Sequence, residues 1–260
     1  MPVQDGVGYG ELTELKLQHL HKIFGMHLAV TRAVLRKTYH FLQQYRYLDL
    51  TAGKGLLPNS LVGSPLIFLE QAEGLSDFSY RADFVESISD NLVTLKSNVK
   101  AEALKHGWEC SNLHFHNGQY EQTIPHLFQE IDTRELGLIF VDPSGEAPSL
   151  DALKYVSEKR PRMEILIYIS TTNLKRVQHI TGQRLSDYMQ QVGKKHWLIR
   201  KPISWDSHKW TFLLGSNTNI FKDYKKIDFL RLDSEEAQEF YPKLELTEKQ
   251  RTELVQPRLL

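Results

Sequence analysis

Residues 48–55 read LDLTAGKG, an apolar stretch that ends in a carboxylate and a turn with two glycines. Glycine tolerates backbone angles that other residues avoid and lets a ligand approach the main chain closely; the N-terminus of a helix that follows favours a carboxylate or phosphate. Asp49 through Gly55 supply such a turn. Glu86 closes the next apolar run, where a strand-end carboxylate can accept both hydroxyls of a ribose. A third feature is LIFVDPSGEAP at 138–148, four apolar residues followed by Asp142-Pro143-Ser144-Gly145. Ligands of open parallel sheets collect at the carboxyl ends of their strands, which is where Asp142 falls. Asp-Pro-Ser-Gly also fits a type I turn, with Asp first, Pro second and Gly fourth, and the two readings are compatible.

Several alternative chemistries lose ground at the same residues. The dinucleotide fingerprint needs a third glycine at position 58, which is Pro, and an acidic residue about 20 positions on, much nearer than Glu86. Lys54 lies in the glycine turn, but the rest of the phosphate-loop spacing is missing. No G-x-S-x-G elbow is present. His114 and His116 alternate onto one strand face, as a metal pair would, yet no cysteine or carboxylate pattern completes a site, so they are expected to be edge histidines and no metal is expected. The glycines of GVGYG at 6–10 follow no expected strand and read as a flexible lead-in.

These residues need a frame to hold them. Leu12, Leu15, Leu20, Phe24, Leu28, Leu35 and Leu42 recur at helical spacing, predicting a helix over 12–44 with Gly25 as a candidate break. From there short apolar runs alternate with helical stretches. The predicted strands are 46–50, 82–86, 112–116, 137–142 and 164–170, and the helices between them about 64–73, 87–106, 120–131 and 149–158. Two further runs, 196–200 and 209–215, are joined too closely for a crossover helix and should pair antiparallel. The expected division is an N-terminal helical extension over 1–45, a central α/β domain over 46–232 and a charged tail over 233–260. Within the tail, TEKQ at 247–250 has capping-box spacing.

Composition sets limits on the rest. A 260-residue chain with 41% hydrophobic residues can bury one substantial core. Lys plus Arg and Asp plus Glu balance at 32 each, so any attraction to nucleic acid must be local. It is concentrated at 151–209, where basic residues exceed acidic ones by seven. The single cysteine, Cys110, excludes an internal disulfide and suits a reducing cytoplasm. No apolar run reaches the roughly 20 residues of a membrane span, so no membrane association is expected.

Taken in order, LDLTAGKG, GSPLIFLEQA, DFVES, HFHNGQYE and IFVDPSG resemble the class I S-adenosylmethionine-dependent methyltransferases, and more narrowly the three-Cys-motif partner family. The resemblance spans roughly residues 12–216. It implies a Rossmann-like sheet, mostly parallel with a closing antiparallel hairpin, helices on both faces, and S-adenosyl-L-methionine as methyl donor. By the same resemblance Asp49, Thr51, Ala52, Gly53 and Gly55 contact the donor, Glu86 its ribose, and Asn117, Gly118 and Gln119 the adenine end. Asp142, with Pro143 and Ser144, falls at the catalytic position. In amino-methyltransferases the matching motif accepts hydrogen bonds from the target amino group and draws its lone pair out of conjugation.

Two positions depart from the pattern. Asn117-Gly118-Gln119 stands where the class commonly has an aspartate reading the adenine amino group; the amide of Gln119 or of Asn117 can replace it. Gly145 stands where nucleic-acid amino-methyltransferases carry a base-stacking aromatic, leaving Trp205, Trp210 or Tyr168 as substitutes. The expected acceptor is a nucleic-acid amino group, adenine N6, in DNA ahead of RNA, with Lys175, Arg176 and Trp205 on the substrate side. Lys194, Lys195, Arg200 and Lys201 extend that basic region. A protein or small-molecule acceptor is the alternative, or a non-catalytic binding subunit with a protein partner on the C-terminal tail.

Overall fold

The apolar runs form strands whose alternate residues enter two different cores. The computed structural model describes residues 3–4, 7–8, 13–38, 44–57, 60–143, 148–170, 185–201 and 210–237. A two-residue pair, β1 (Val3–Gln4) and β2 (Val7–Gly8), precedes a long helix, α1 (Thr13–Thr38). Then come β3 (Tyr45–Asp49), α2 (Ser64–Glu73), β4 (Tyr80–Glu86), α3 (Ser89–His106), β5 (Leu113–Asn117), α4 (Tyr120–Leu127), β6 (Gly137–Val141), α5 (Leu150–Lys159) and β7 (Met163–Ser170). The described elements continue with α6 (Leu185–Val192), β8 (His196–Arg200), β9 (Trp210–Ser216), the short α7 (Phe221–Tyr224), a 3-10 turn over Lys225–Ile227, and β10 (Phe229–Arg231).

Eight strands form one sheet in the order β5-β4-β3-β6-β7-β9-β8-β10. β3 pairs parallel with both β4 and β6, so the order of the chain reverses there and opens a crevice beyond their carboxyl ends. Tyr47, Phe84, Leu138, Phe140 and Leu166 pack with α1, α2 and α3 on one face. Leu48, Val85, Ile139, Val141, Ile165 and Ile167 pack with α4, α5 and α6 on the other. This period of two is the pleat of a strand buried on both sides.

The sequence-based elements and the observed ones differ in a few informative places. β8 and β9 do pair antiparallel, but β9 inserts between β7 and β8, which makes β8 parallel to the first five strands. β10, antiparallel to β8 on the sheet edge, and α6 have no counterpart in the predicted elements. The GVGYG stretch is not wholly a flexible lead-in, because Val7–Gly8 is a strand. α4 ends at Leu127, short of 131. Phe128 turns into the core, fully buried, with the Arg46 and Arg160 guanidinium carbons 4.4 and 4.6 Å from its ring centroid. α1 runs through Gly25 without a break. A Cβ there would meet the Gln71 side chain at 2.9 Å, so the glycine serves the close approach of α1 to α2. Leu17, Leu20, Ile23, Phe24 and Leu28 of α1 share the core of the sheet's first face. Among the described residues no helix is long and apolar enough to cross a membrane. Residues 238–260, most of the expected tail and its capping box, lie outside the described residues.

On the α4–α5 face a buried ion cluster joins β3, β4 and β5. Asp83, with no exposed side-chain surface, accepts from Arg46 at 3.1 Å, from Arg81 at 3.0 Å through each oxygen, and pairs with His116 at 2.9 Å. Burial alone would raise its carboxyl, but hydrogen bonds from His116 and Arg81, with the charges of Arg46 and Arg81, hold it well below the ordinary carboxylate range. The unfolded chain therefore takes up this proton first. The contribution to stability is complete above about pH 4 and is lost as pH falls further. Replacing Asp83 with Ala should cost about 3 kcal/mol in urea unfolding at neutral pH, because the buried Arg46 Nε and His116 lose their acceptor while Glu135 still holds Arg46 at 3.3 Å, and should flatten the acid limb of the stability profile.

Candidate active site

The site begins with a carboxylate that no ligand can touch. Asp49, fully buried at the end of β3, accepts hydrogen bonds from the Tyr47 hydroxyl at 3.1 Å, the Thr51 amide at 3.1 Å and the Ser64 hydroxyl. Desolvation pushes its carboxyl up to about 7 against the pull of those three bonds, with the nearby charge of Asp142 adding to the rise. Above it the chain makes the glycine turn, with Gly53 at φ 63° and Gly55 at φ 76°. The Gly55 carbonyl accepts from the Gly63 amide at 2.7 Å, which fastens the turn to the start of α2. A Cβ on Gly55 would come within 2.7 Å of Leu95. A Cβ on Gly53 would meet no protein atom within 4 Å and would project into open space.

A cleft of about 380 Å³ opens over the turn, at the carboxyl ends of β3, β4, β5 and β6. Thr51, Ala52, Gly53, Gly55, Glu86, Gly118, Gln119, Asp142 and Pro143 all line it, and so does Lys16 of α1. Glu86 accepts from the Gly53 amide through one oxygen and from the Ile88 amide through the other, both at 2.8 Å. A carboxylate has about four lone-pair sites, so Glu86 keeps capacity for ligand hydroxyls. Ile88 caps α3 without a side-chain hydrogen bond, and its own amide is the one that Glu86 accepts. Asn117 is turned aside, accepting from Ser89 at 2.9 Å and donating to the Glu86 carbonyl at 3.1 Å. Of the two candidate amides, Gln119 is therefore the one on the cleft wall.

Asp142 joins the opposite wall to the turn. Its amide donates to the Thr51 hydroxyl at 2.8 Å, and its carboxylate receives the Lys16 ammonium at 2.7 Å. Lys16 also stands 4.7 Å from the Tyr168 ring centroid, and Tyr168 packs in turn on Trp210 and Phe212. Burial raises the Tyr168 hydroxyl above its ordinary range, with the Asp142 charge contributing, so the phenol stays neutral at physiological pH. Trp210 is 3% exposed and packs against His19, which places its ring in the core in this conformation.

Asp49 is the one residue of the glycine motif that does not reach the cleft; its work is to hold the turn. Ser144, Lys175, Arg176 and Trp205 lie outside the described residues. The basic residues around β8 do not form one exposed face. Lys194 is buried at the amino end of the sheet, donating to the Pro161 carbonyl at 3.2 Å and the Met163 carbonyl at 2.8 Å. Lys195 is exposed at that same end, at the start of β8. At the carboxyl end of the strand Arg200 is buried and bonded to Asp228, and Lys201 pairs with Glu236. His116 belongs to the Asp83 cluster, and among the described residues no group of three His, Cys, Asp or Glu could hold a metal. Two site residues had no signal of their own: Lys16, one polar residue among several on an amphipathic helix, and Ser64, visible only as part of the G-S-P-L helix start.

The donor set suits a nucleoside. Glu86 has free acceptor capacity, Gln119 offers both donor and acceptor, and the open space at Gly53 is a cradle that a side chain would fill. No family model and no curated protein matches the chain. Solved structures align over most of its length. The protein LPL1258 of Legionella pneumophila has a TM-score of 0.49 at 15% identity, over 78% of this chain and 88% of that one. The Escherichia coli protein yhhF has 0.44 at 14%, over 84% and 92%. The arsenic (III) S-adenosylmethionine methyltransferase of Chlamydomonas reinhardtii has 0.46 at 14%, over 70% and 71%. Likenesses at this level bear on neither substrate nor site residues.

The raised carboxyl of Asp49 has a measurable consequence. Between about pH 4, where an unfolded aspartate ionises, and about 7 the folded chain holds a proton that the unfolded chain has released. This contribution to stability therefore falls as pH rises through that window and is constant above it. Relative to Asp49→Asn, the wild-type urea midpoint should decline from pH 5 to pH 8; parallel profiles would show that Asp49 ionises normally.

Proposed function

We propose that the chain is an S-adenosylmethionine-dependent methyltransferase of the cytoplasm that acts on an amino group of nucleic acid, adenine N6 in DNA. The observation that carries this reading is the convergence on one cleft of the glycine turn, Glu86, Gln119 and Asp142, at the point where the strand order reverses. The narrower kinship with the three-Cys-motif partner family rests on the order of the sequence motifs alone.

The donor brings a methyl group on a sulfonium, a good leaving group, so the protein's part is alignment and hydrogen bonding. Gly53 gives the donor backbone to lie against, Glu86 accepts from its ribose hydroxyls and Gln119 pairs with its adenine. Asp142 accepts from the acceptor's amino group and orients the nitrogen lone pair. Lys175 and Arg176 are assigned to the phosphate backbone and Trp205 to the base, with Ser144 completing the Asp-Pro turn. A protein or small-molecule amine is the second reading, favoured by the ammonium that Asp142 already holds.

Two measurements test this in sequence. Calorimetry should detect binding of S-adenosylmethionine or S-adenosylhomocysteine, with little binding of NAD or ATP, and Gly53→Val should abolish it by straining a positive-φ position and filling the cradle. Unchanged affinity in that variant would remove the turn from the binding site. Separate DNA, RNA and protein pools should then be offered labelled methyl donor. Label is expected in DNA adenine, reduced on the order of 10²-fold by Asp142→Ala while donor affinity persists; label confined to protein would favour the second reading.

A further inference from the structure

Lys16 has the surroundings of a bound amine. The first turns of α1 reach the carboxyl edge of the sheet, so that Thr13, Lys16, Leu17 and Leu20 form one wall of the cleft, and Lys16 is the charged group among them. Its ammonium lies 2.7 Å from an Asp142 carboxylate oxygen and 4.7 Å from the Tyr168 ring centroid. The carboxylate fixes the direction of an N–H bond. The ring face attracts positive charge and would continue to do so after methylation, since an alkylated amine remains cationic. Both side chains line the cleft and are partly exposed, at 22% for Lys16 and 18% for Asp142. The Asp142 amide is bonded to Thr51 of the glycine turn, so the amine is anchored to the same wall that would receive the donor.

We propose that Lys16 is itself a methyl acceptor, and that the protein methylates this side chain when no other amine occupies the site. The inference rests on the reading of the cleft as an S-adenosylmethionine site. Lys16 Nζ passes one ammonium proton to the Asp142 carboxylate. The lone pair so freed forms an N–C bond with the sulfonium methyl, while the C–S bond breaks and leaves its pair on sulfur as a neutral thioether. Asp142 then releases the proton to solvent. One methyl is transferred and one proton is lost. Repulsion between the ammonium and a nearby sulfonium favours departure of the proton before transfer. Asp142 thus serves Lys16 as it would serve an external amine.

Incubation of the purified chain with labelled S-adenosylmethionine, followed by peptide mass analysis, should find a methyl group on Lys16 that Lys16→Arg abolishes and Asp142→Ala reduces at least tenfold. A second readout needs no turnover. The Lys16 ammonium signal in ¹H–¹⁵N spectra should shift when S-adenosylhomocysteine is added and should be lost to fast exchange in Asp142→Ala. Donor binding by calorimetry without label on Lys16, or a Lys16 signal unmoved by the thioether, would overturn the inference and leave the methyltransferase reading intact. No donor binding at all would overturn both.

Discussion

The buried carboxylate of Asp49 is the constraint on which the rest of the site depends. It draws the Tyr47 hydroxyl, the Thr51 amide and the Ser64 hydroxyl to one point, fixing the end of β3, the first residue of the turn and the start of α2 relative to one another. Hydrogen bonds from neutral donors offset only part of the cost of removing a carboxylate from water, and its raised ionisation is the sign of that balance. With those three anchors set, the glycines turn the chain back over the carboxylate and Gly55 hands its carbonyl to Gly63. The floor of the cleft is fastened by these hydrogen bonds from beneath, where no ligand reaches.

Other carboxylates are distinguished by how fully they are satisfied. Asp83 has every lone pair directed at a guanidinium or an imidazole and no contact with solvent, so it can hold strands together and do nothing else. Glu86 and Asp142 border the same sheet but retain acceptor capacity facing a cavity. A polar group with unspent hydrogen-bonding capacity at the edge of a cavity is the physical signature of a binding role. The same logic separates the lysines: Lys194 is spent on backbone carbonyls, whereas Lys16 meets one carboxylate and one ring face.

Much of this was legible in the chain because its signals are local. A continuous apolar run of four or five residues marks a strand buried on both faces, and two glycines one residue apart directly after such a run mark a turn. The order of the motifs therefore carried the α/β fold, the glycine turn, Glu86 and Asp142. Elements lacking a strong local signal were lost. β10 is three residues long, and α6 spans only eight residues; Gly193, at φ 78°, ends it, but a lone glycine stop does not specify a helix. The end of α4 was misjudged because Phe128 is removed from the helix by two arginines distant in sequence.

Tertiary structure decided what depends on pairs of residues far apart. The family resemblance implied that Asp49 contacts the donor; its three hydrogen bonds make it a support. Asn117 and Gln119 were equivalent as amides until the end of β5 pointed one at Ser89 and left the other on the cleft wall. The basic residues around β8 share a stretch of sequence but not a surface: the strand itself sets Lys194 and Lys195 at one end of the sheet and Arg200 and Lys201 at the other, and burial removes Lys194 and Arg200 from solvent. Lys16 and Asp142 are 126 positions apart and meet only because α1 packs along one face of the sheet with its first turns at the carboxyl edge. A sequence fixes a side chain's chemistry and its local geometry; which partner exhausts or spares that chemistry is set by the packing of distant segments, and that determined which charged residues face the cleft.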